Sequence, residues 1–202
     1  MIYFLDSVRQ LKEKIVAFSD IAHLIIVFIG LIVFLVIYRF ITSSYRCGTV
    51  SEASKLETLW TIGPCFVLLT LAIPSLFLLY IRDCPGESKA RIRVIGRQWY
   101  WVYGTNERYI EQNSDHRCFE CSNPSTIKTG LRTLALISSG DVLHSWALPT
   151  LGIKVDAVPG RLNSIRVQSK YPGVFYGQCR EICGANHRFI PIKLESIYVS
   201  RC

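Results

Sequence analysis

The sequence predicts a membrane-anchored all-β protein, in which a two-helix transmembrane hairpin precedes an antiparallel β-sandwich or barrel. Two long apolar runs without charged residues lie within the first 81 of the 202 residues. From residue 90 onward, short segments rich in strand-forming residues alternate with Gly, Pro, Asn and Ser. These patterns divide the chain into an N-terminal lead (residues 1–20), a helical hairpin (residues 21–81) and a β-domain (residues 82–202).

The two apolar runs are long enough to cross a membrane. Residues 21–38 contain 18 residues and residues 59–81 contain 23, none of them Asp, Glu, Lys or Arg. A bilayer core needs about 20 apolar helical residues, so we place the spans at about residues 21–40 and 59–81. A pair of buried core helices is the alternative, and uncharged runs of this length disfavour it. We therefore expect both spans to contact the lipid membrane.

The β-domain is predicted from segments that are rich in β-branched and aromatic residues. Strands at this spacing are typical of antiparallel sandwiches and barrels. Residues 106–130 are polar and lack clear periodicity, so we predict a loop there. The predicted strand segments are RIRVIGRQWYWVYG, TLALISS, GIKVDAV, SIRVQS, GVFYG and PIKLESIYVS.

The net charge of the chain is +8. Residues 82–202 account for most of it, with 17 Lys and Arg against 10 Asp and Glu. A basic surface suggests anionic lipid, nucleic acid or an acidic partner. The basic residues are scattered and the sequence contains no recognisable nucleic-acid-binding module. We therefore expect a solvated surface or contact with partner subunits, and no nucleic-acid partner.

Two cysteines and two histidines are the candidate metal ligands. Cys179, Cys183 and His187 follow the spacing C-x3-C-x3-H, and His144 lies in the earlier segment SSGDVLHSWALP. Thiolates with imidazoles suit structural zinc and also copper, and two neighbouring thiolates could bridge two metal ions. The alternatives are a buried core histidine, with two free thiols or a strained disulfide. The pattern favours a metal site, but it does not decide between one zinc and two coppers.

Five longer motifs carry a resemblance to a known family. The two motifs at residues 141–163 and 176–189 are the longest and most specific. The five motifs are LETLW, IPSLFLLY, GRQWYWVY, DVLHSWALPTLGIKVDAVPGRLN and YGQCREICGANHRF. Through them the sequence resembles cytochrome c oxidase subunit II over most of its length. The resemblance implies two membrane spans followed by a cupredoxin-like Greek-key domain.

The resemblance also implies a ligand set. By it, His144, Cys179, Cys183 and His187 hold a binuclear copper centre, in which both thiolates bridge the two copper ions and each imidazole caps one. The backbone carbonyl of Glu181 is then a weak ligand. An electron shared over two bridged metals spreads the charge change, so little needs to rearrange when the electron moves.

Three other residues match functional positions of the family. The Glu181 side chain matches a ligand of a magnesium ion shared with subunit I, and carboxylates suit magnesium. Trp99 matches the tryptophan through which electrons arrive from cytochrome c. Glu57 matches a carboxylate at the mouth of a proton pathway. A carboxylate at the membrane edge is a functional candidate by default. The plain alternatives are a loop carboxylate, a half-buried strand aromatic and a solvated interfacial carboxylate.

Ile190 departs from the family pattern. The family has a methionine three residues after the second histidine, where it is a weak thioether ligand, whereas this chain has Ile190. An alkyl side chain cannot bind a metal, and axial ligands tune the potential of related copper sites. We therefore predict a shifted reduction potential and a copper that is more exposed or more loosely held. Met1 is the sole methionine of the chain, so a second hypothesis is that Ile190 is a misread methionine codon.

Two further features of the β-domain differ from the family. The resemblance implies an acidic face that docks basic cytochrome c. Asp141 persists from that face, Asp115 is a candidate for a second acid of it, and Gly140 stands where an acid is common. Cys118 and Cys121 form a C-x2-C pair without a second pair nearby. A disulfide or free thiols is therefore favoured there over a metal half-site.

Together these inferences predict an electron-transfer subunit of cytochrome c oxidase. It would accept electrons from cytochrome c and pass them to haem in the catalytic subunit I, where oxygen is reduced to water and protons are translocated. The expected location is the mitochondrial inner membrane with the β-domain in the intermembrane space, or a bacterial plasma membrane with the domain in the periplasm. The alternatives are a structural or quinol-oxidase-like subunit without a working copper site, and a membrane-tethered copper carrier.

Overall fold

The computed structural model describes residues 10–44, 53–83, 87–104, 109–113 and 123–198. These residues belong to two compact units, one helical and one built on β-strands. The predicted boundaries at residues 20 and 81 remain predictions.

The structure has two long helices, α1 (Gln10–Thr42) and α2 (Ser54–Asp83). The helical unit contains α2 and α1 from Lys14 onward, and the first residues of α1 are grouped with the β-unit. Each has an acidic residue in its first turn and a basic residue in its last, which complements the helix dipole. At 33 residues, α1 is about 50 Å long. Each helix includes one predicted span and extends beyond it at both ends.

The apolar side chains of both helices lie on the outside. In each helix, no part of the most apolar 18-residue stretch is buried inside the described protein. Soluble proteins rarely expose apolar surface of this extent, so the alternative of two buried core helices is wrong. Leu24, Phe28, Phe66 and Phe77 are examples of these exposed side chains.

The described part of the β-unit contains ten strands. Three sheets are formed, with strand orders β3-β2-β1-β5-β8, β4-β10-β9 and β6-β7. The strands are β1 (Ala90–Arg97), β2 (Tyr100–Gly104), β3 (Tyr109–Gln112), β4 (Ser125–Lys128), β5 (Thr133–Ser139), β6 (His144–Leu148), β7 (Ile153–Ala157), β8 (Asn163–Val167), β9 (Gly173–Gln178) and β10 (Pro191–Ile197).

Two details differ from the predicted antiparallel arrangement. The pairs β1–β5 and β4–β10 are parallel, whereas the other pairs are antiparallel. Each parallel pair joins strands far apart in sequence, which leaves the long connection that a parallel pairing needs. The predicted loop at residues 106–130 is also wrong in part, because β3 and β4 lie within it. Both are only four residues long, too short to show a clear period.

Strand alternation builds the core of the β-unit. In β1, Ile92 and Val94 point inward while Arg91 and Arg93 are exposed, as the two-residue period of a strand requires. β6 is different, because all five of its residues are buried. Trp146 in its centre donates a hydrogen bond to the Tyr103 hydroxyl over 3.1 Å. The first residue of this buried strand is His144, so the core itself fixes one candidate ligand.

Candidate metal centre

Two segments of the β-unit bring the candidate ligands together. The first is the start of β6, and the second is the connection between β9 and β10, residues 179–190. The ends of this connection are joined, since the Cys179 N–H donates to the Ile190 carbonyl over 3.1 Å. The Arg180 N–H donates to the Ser145 carbonyl, also over 3.1 Å. This second bond attaches the connection directly to β6.

The sulfur and nitrogen atoms of the candidate ligands face one another. The two Sγ atoms of Cys179 and Cys183 are 4.0 Å apart. Nδ1 of His144 lies 4.0 Å from the Cys179 Sγ, and Nδ1 of His187 lies 3.5 Å from the Cys183 Sγ. Each thiol therefore has one imidazole beside it. The ligand atoms of His144, Cys179 and Cys183 all lie within 4.8 Å of one another.

The donor set fits a thiophilic metal. A disulfide bond is about 2.05 Å long, so the 4.0 Å separation shows two free thiols and contradicts the disulfide alternative. A metal ion about 2.3 Å from a thiolate sulfur can contact both sulfurs at once across 4.0 Å. Cys179 and Cys183 are each 4% exposed, so a bound ion would be shielded from water. Soft thiolates with imidazoles select copper or zinc.

Asp141 orients the His144 ring. Its Oδ1 accepts a hydrogen bond from Nε2 of His144 over 2.8 Å, which leaves Nδ1 to face Cys179. Such outer carboxylates commonly fix the tautomer of a metal-binding histidine. The Asp141 carboxylate also accepts the backbone N–H groups of Gln98 and Val142, each over 2.6 Å. Sequence reasoning considered Asp141 only for docking, although the spacing D-x-x-H was a signal for this contact.

The hydrogen bond between Asp141 and His144 favours the charged form of both side chains. Burial acts to raise the pKa of Asp141, but the hydrogen bonds from His144, Gln98 and Val142 hold this pKa below its usual value. Burial acts to lower the pKa of His144, but its bonds with Cys179 and Asp141 raise this pKa above its usual value. The carboxylate is therefore ionised, and it strengthens the donor at Nε2.

The two thiols differ in acidity. Burial acts to raise the pKa of the Cys179 thiol, but hydrogen bonds with His144 and with the backbone of Ser145 and Glu181 lower this pKa to about 7. Burial and the negative charge of Cys179 raise the pKa of the Cys183 thiol to about 12. As the pH rises, Cys179 is therefore the first of the two thiols to ionise, near neutral pH. A bound metal would displace the proton that remains on Cys183.

Comparison with known proteins places this geometry in a family. Residues 90–197 match the model of the cytochrome c oxidase subunit II periplasmic domain, and residues 1–78 match that of its transmembrane domain. The chain belongs to the cytochrome c oxidase subunit II family. Membership of this family implies a copper-binding domain joined to a membrane anchor. It also implies that the chain is a subunit of an oxidase complex and that cytochrome c is a partner of this complex. The resemblance stated from the sequence motifs is therefore confirmed.

Full-length relatives and solved structures agree. Cytochrome c oxidase subunit 2 of Myxine glutinosa is 39% identical over 96% of this chain and 90% of that protein. The Albinaria caerulea protein is 40% identical over 98% and 94%. The periplasmic domain of subunit II of cytochrome oxidase from Bradyrhizobium japonicum is 31% identical, with a TM-score of 0.54, over 56% of this chain and 87% of that one. The cupredoxin-like fold is confirmed.

Trp99 packs against the connection between β9 and β10. It occupies the turn between β1 and β2, and its side chain is 36% exposed. A Cβ added at Gly184 would lie 3.2 Å from Nε1 of Trp99. The indole therefore rests on the residue that follows Cys183. One side of it contacts the ligand loop while part of it remains open to a partner.

Glu181 and Glu57 lie in different units. The Glu181 carbonyl is 3.4 Å from the Cys179 Sγ and so points toward the candidate ligands. Its side chain is half-buried. Glu57 is an exposed residue in the first turn of α2. The structure thus brings the Glu181 carbonyl to the thiols of Cys179 and Cys183 and places Glu57 on α2 of the membrane anchor.

Ile190 is fully buried in the core of the β-unit. It is 0% exposed and belongs to the same apolar cluster as Cys179 and Cys183. Its carbonyl is used by the Cys179 N–H, and its side chain offers no donor atom. The position at which the resemblance implies a methionine is therefore filled by an alkyl group here. Cys118, Cys121 and Asp115 lie outside the described residues.

Proposed function

We propose that this subunit accepts electrons from cytochrome c at a binuclear copper centre and passes them to haem in subunit I. The observation that carries the proposal is the pair of buried free thiols, 4.0 Å apart, each with the Nδ1 of one histidine beside it. Oxygen reduction to water and the coupled proton translocation would then occur in the complex. When bound, two bridged copper ions would share the transferred electron and so lower the cost of rearrangement.

The chain's own residues would position and shield this centre. His144, Cys179, Cys183 and His187 would be the main ligands, and the Glu181 carbonyl a weak one. A buried strand carries His144, and hydrogen bonds at both ends of the connection limit its movement. Fixed ligands reduce the movement needed at each electron transfer.

Trp99 would be the contact for cytochrome c. Its partly exposed indole offers a flat surface to the donor, and it rests against Gly184 next to Cys183. The Glu181 side chain would bind magnesium shared with subunit I, for which an oxygen ligand is suited. Glu57 would stand at the mouth of a proton pathway, since ionisable residues at a membrane edge are functional candidates.

Ile190 would alter the copper centre without abolishing it. The four main ligands are present, and weak axial ligands tune a copper site more than they hold it. We therefore propose a shifted potential. For location, we propose the mitochondrial inner membrane, with the β-unit in the intermembrane space, or the equivalent arrangement in a bacterial plasma membrane.

Electron paramagnetic resonance of the purified, oxidised complex tests the proposal. The expected result is a copper signal from one electron shared over two copper nuclei, with two coppers per chain by metal analysis. Zinc alone, or a copper-loaded sample without the shared signal, would overturn the binuclear assignment. It would leave the structural or quinol-oxidase-like alternative, which no present observation favours.

A further inference from the structure

The turn between β1 and β2 contacts both ligand-bearing segments. Gln98 opens this turn, and its Nε2 donates a hydrogen bond to the Cys183 carbonyl over 2.8 Å. Its backbone N–H donates to Oδ2 of Asp141 over 2.6 Å. The other oxygen of that carboxylate accepts from the His144 ring. One residue is therefore bonded to a cysteine ligand on one side and to the support of a histidine ligand on the other.

The surrounding backbone is shaped to allow this close approach. A Cβ added at Gly184 would lie 3.2 Å from Nε2 of Gln98, and this glycine has a φ of +124° that other residues rarely adopt. A Cβ added at Gly96 would lie 2.9 Å from the ring of His144. The end of β1 thus packs directly on His144. The turn packs directly on the connection between β9 and β10 (residues 179–190), which we call the cysteine loop. Larger side chains at either glycine would push the segments apart.

We propose that Gln98 is a positioning residue that holds the cysteine loop and the His144 segment in the spacing that copper binding needs. The inference rests on the proposed copper function, and it concerns the support of the ligands rather than the ligands themselves. The amide is suited to this task because it donates to a carbonyl without adding charge next to two thiols. The same bond also fixes the start of the turn that presents Trp99.

The role differs from that of an ordinary turn residue. β1 and β2 already pair from Arg97 and Tyr100 back to Arg93 and Gly104, so the turn does not need the Gln98 side chain to form. The bond to Cys183 instead spans 85 positions of sequence. Its loss would leave the strands paired and the bond from Arg180 to Ser145 in place, and would loosen the Cys183 part of the cysteine loop relative to His144.

The test is Gln98→Leu in the purified complex, with Gln168→Leu as the matched control. Gln168 donates a hydrogen bond from the same side-chain atom to a backbone carbonyl, that of Gly130, over 3.0 Å. Copper loss to a chelator and the paramagnetic signal are measured for both variants and for the unaltered complex. We expect roughly 10- to 100-fold faster copper loss in Q98L, a changed hyperfine pattern, and no change in Q168L.

A second variant guards against a folding defect. Gln98→Glu keeps the length and polarity of the side chain but removes the donor, and it should reproduce the faster copper loss. Copper loss in Q98L and Q98E at the rate of Q168L would overturn the inference. If both Gln98 variants fail to assemble while Q168L assembles, Gln98 serves folding and the positioning role is also wrong. An unaltered complex without copper would instead refute the proposed function.

Discussion

The two segments that carry the ligands are held in different ways. His144 is a buried strand residue whose Nε2 is bonded to Asp141. His187 is half-buried in a single 3₁₀ turn, and the described residues offer no partner for its Nε2. The fold therefore fixes one half of the site, whereas the other half depends on the connection between β9 and β10. Rigidity and function are divided between a strand and a loop, as is common at binding sites.

The largest expected effect comes from the loop half. Cys183→Ser removes one of the two thiols proposed to bridge the copper ions, so we expect loss of the shared copper signal and at least about a 100-fold fall in turnover with cytochrome c, beyond the range for supporting residues. Cys65→Ser is the control, because Cys65 is a free, exposed cysteine in α2. A binuclear signal that persists in C183S would show that the sulfurs do not bridge.

The two histidines should differ when stability is measured without copper. His144→Ala leaves a cavity in the core and removes one hydrogen bond from the Asp141 carboxylate, so we expect a loss of about 2–4 kcal/mol in the free energy of unfolding. His187→Ala removes a half-buried side chain and should cost less than about 1 kcal/mol. Calorimetry of the copper-depleted complex provides the measurement. Equal losses would mean that the strand and the loop are held alike.

Asp141→Asn sharpens the comparison on the strand side. The asparagine keeps the shape but loses the charge that orients the His144 ring, so we expect about 10-fold weaker copper retention. The contribution of Asp141 to stability should be complete above the ordinary carboxyl pKa of 3.8 and should fade as the pH falls through its lowered folded value. Acid titration of D141N and the unaltered protein should therefore diverge at neutral pH and converge in acid.

The thiols offer a chemical test of the same division. In the copper-depleted complex, Cys179 should be alkylated before Cys183, because its pKa is lowered to about 7 while that of Cys183 is raised to about 12. Labelling of Cys179 should rise through pH 7. Mass spectrometry of the labelled peptides reads out the order, and prior labelling of Cys183 would contradict the described hydrogen bonding.

Ile190→Met should have the smallest effect. The side chain is buried in the same core as both cysteines, and the Ile190 carbonyl accepts the Cys179 N–H, so we expect a thioether at this position to lie near the site. We expect a shift of the reduction potential, with copper retention changed by less than about 10-fold. Spectroelectrochemistry measures the shift. The mass of the unaltered peptide containing residue 190 decides separately whether the residue is isoleucine or a misread methionine.

Sequence reasoning succeeded where chemistry is local. The two helices follow from uncharged apolar runs, and the cysteine loop follows from the spacing of Cys179, Cys183 and His187. It missed β3 and β4 because four-residue strands carry too little alternation. It also missed the roles of Asp141 and Gln98. The Gln98 bonds connect positions 43 and 85 residues apart, and no local pattern reports such pairs.

The bond between strand and loop has a consequence for the life of the chain before assembly. A metal held jointly by His144 and Cys179 would close a ring across 35 positions of sequence. By the entropy argument used for covalent cross-links, closing a ring of this size lowers the entropy of the unfolded chain and stabilises the folded state by about 3–4 kcal/mol. Copper delivery would then stabilise the folded β-unit as a cross-link does. Chains that have not received copper should be the ones that unfold and are degraded first.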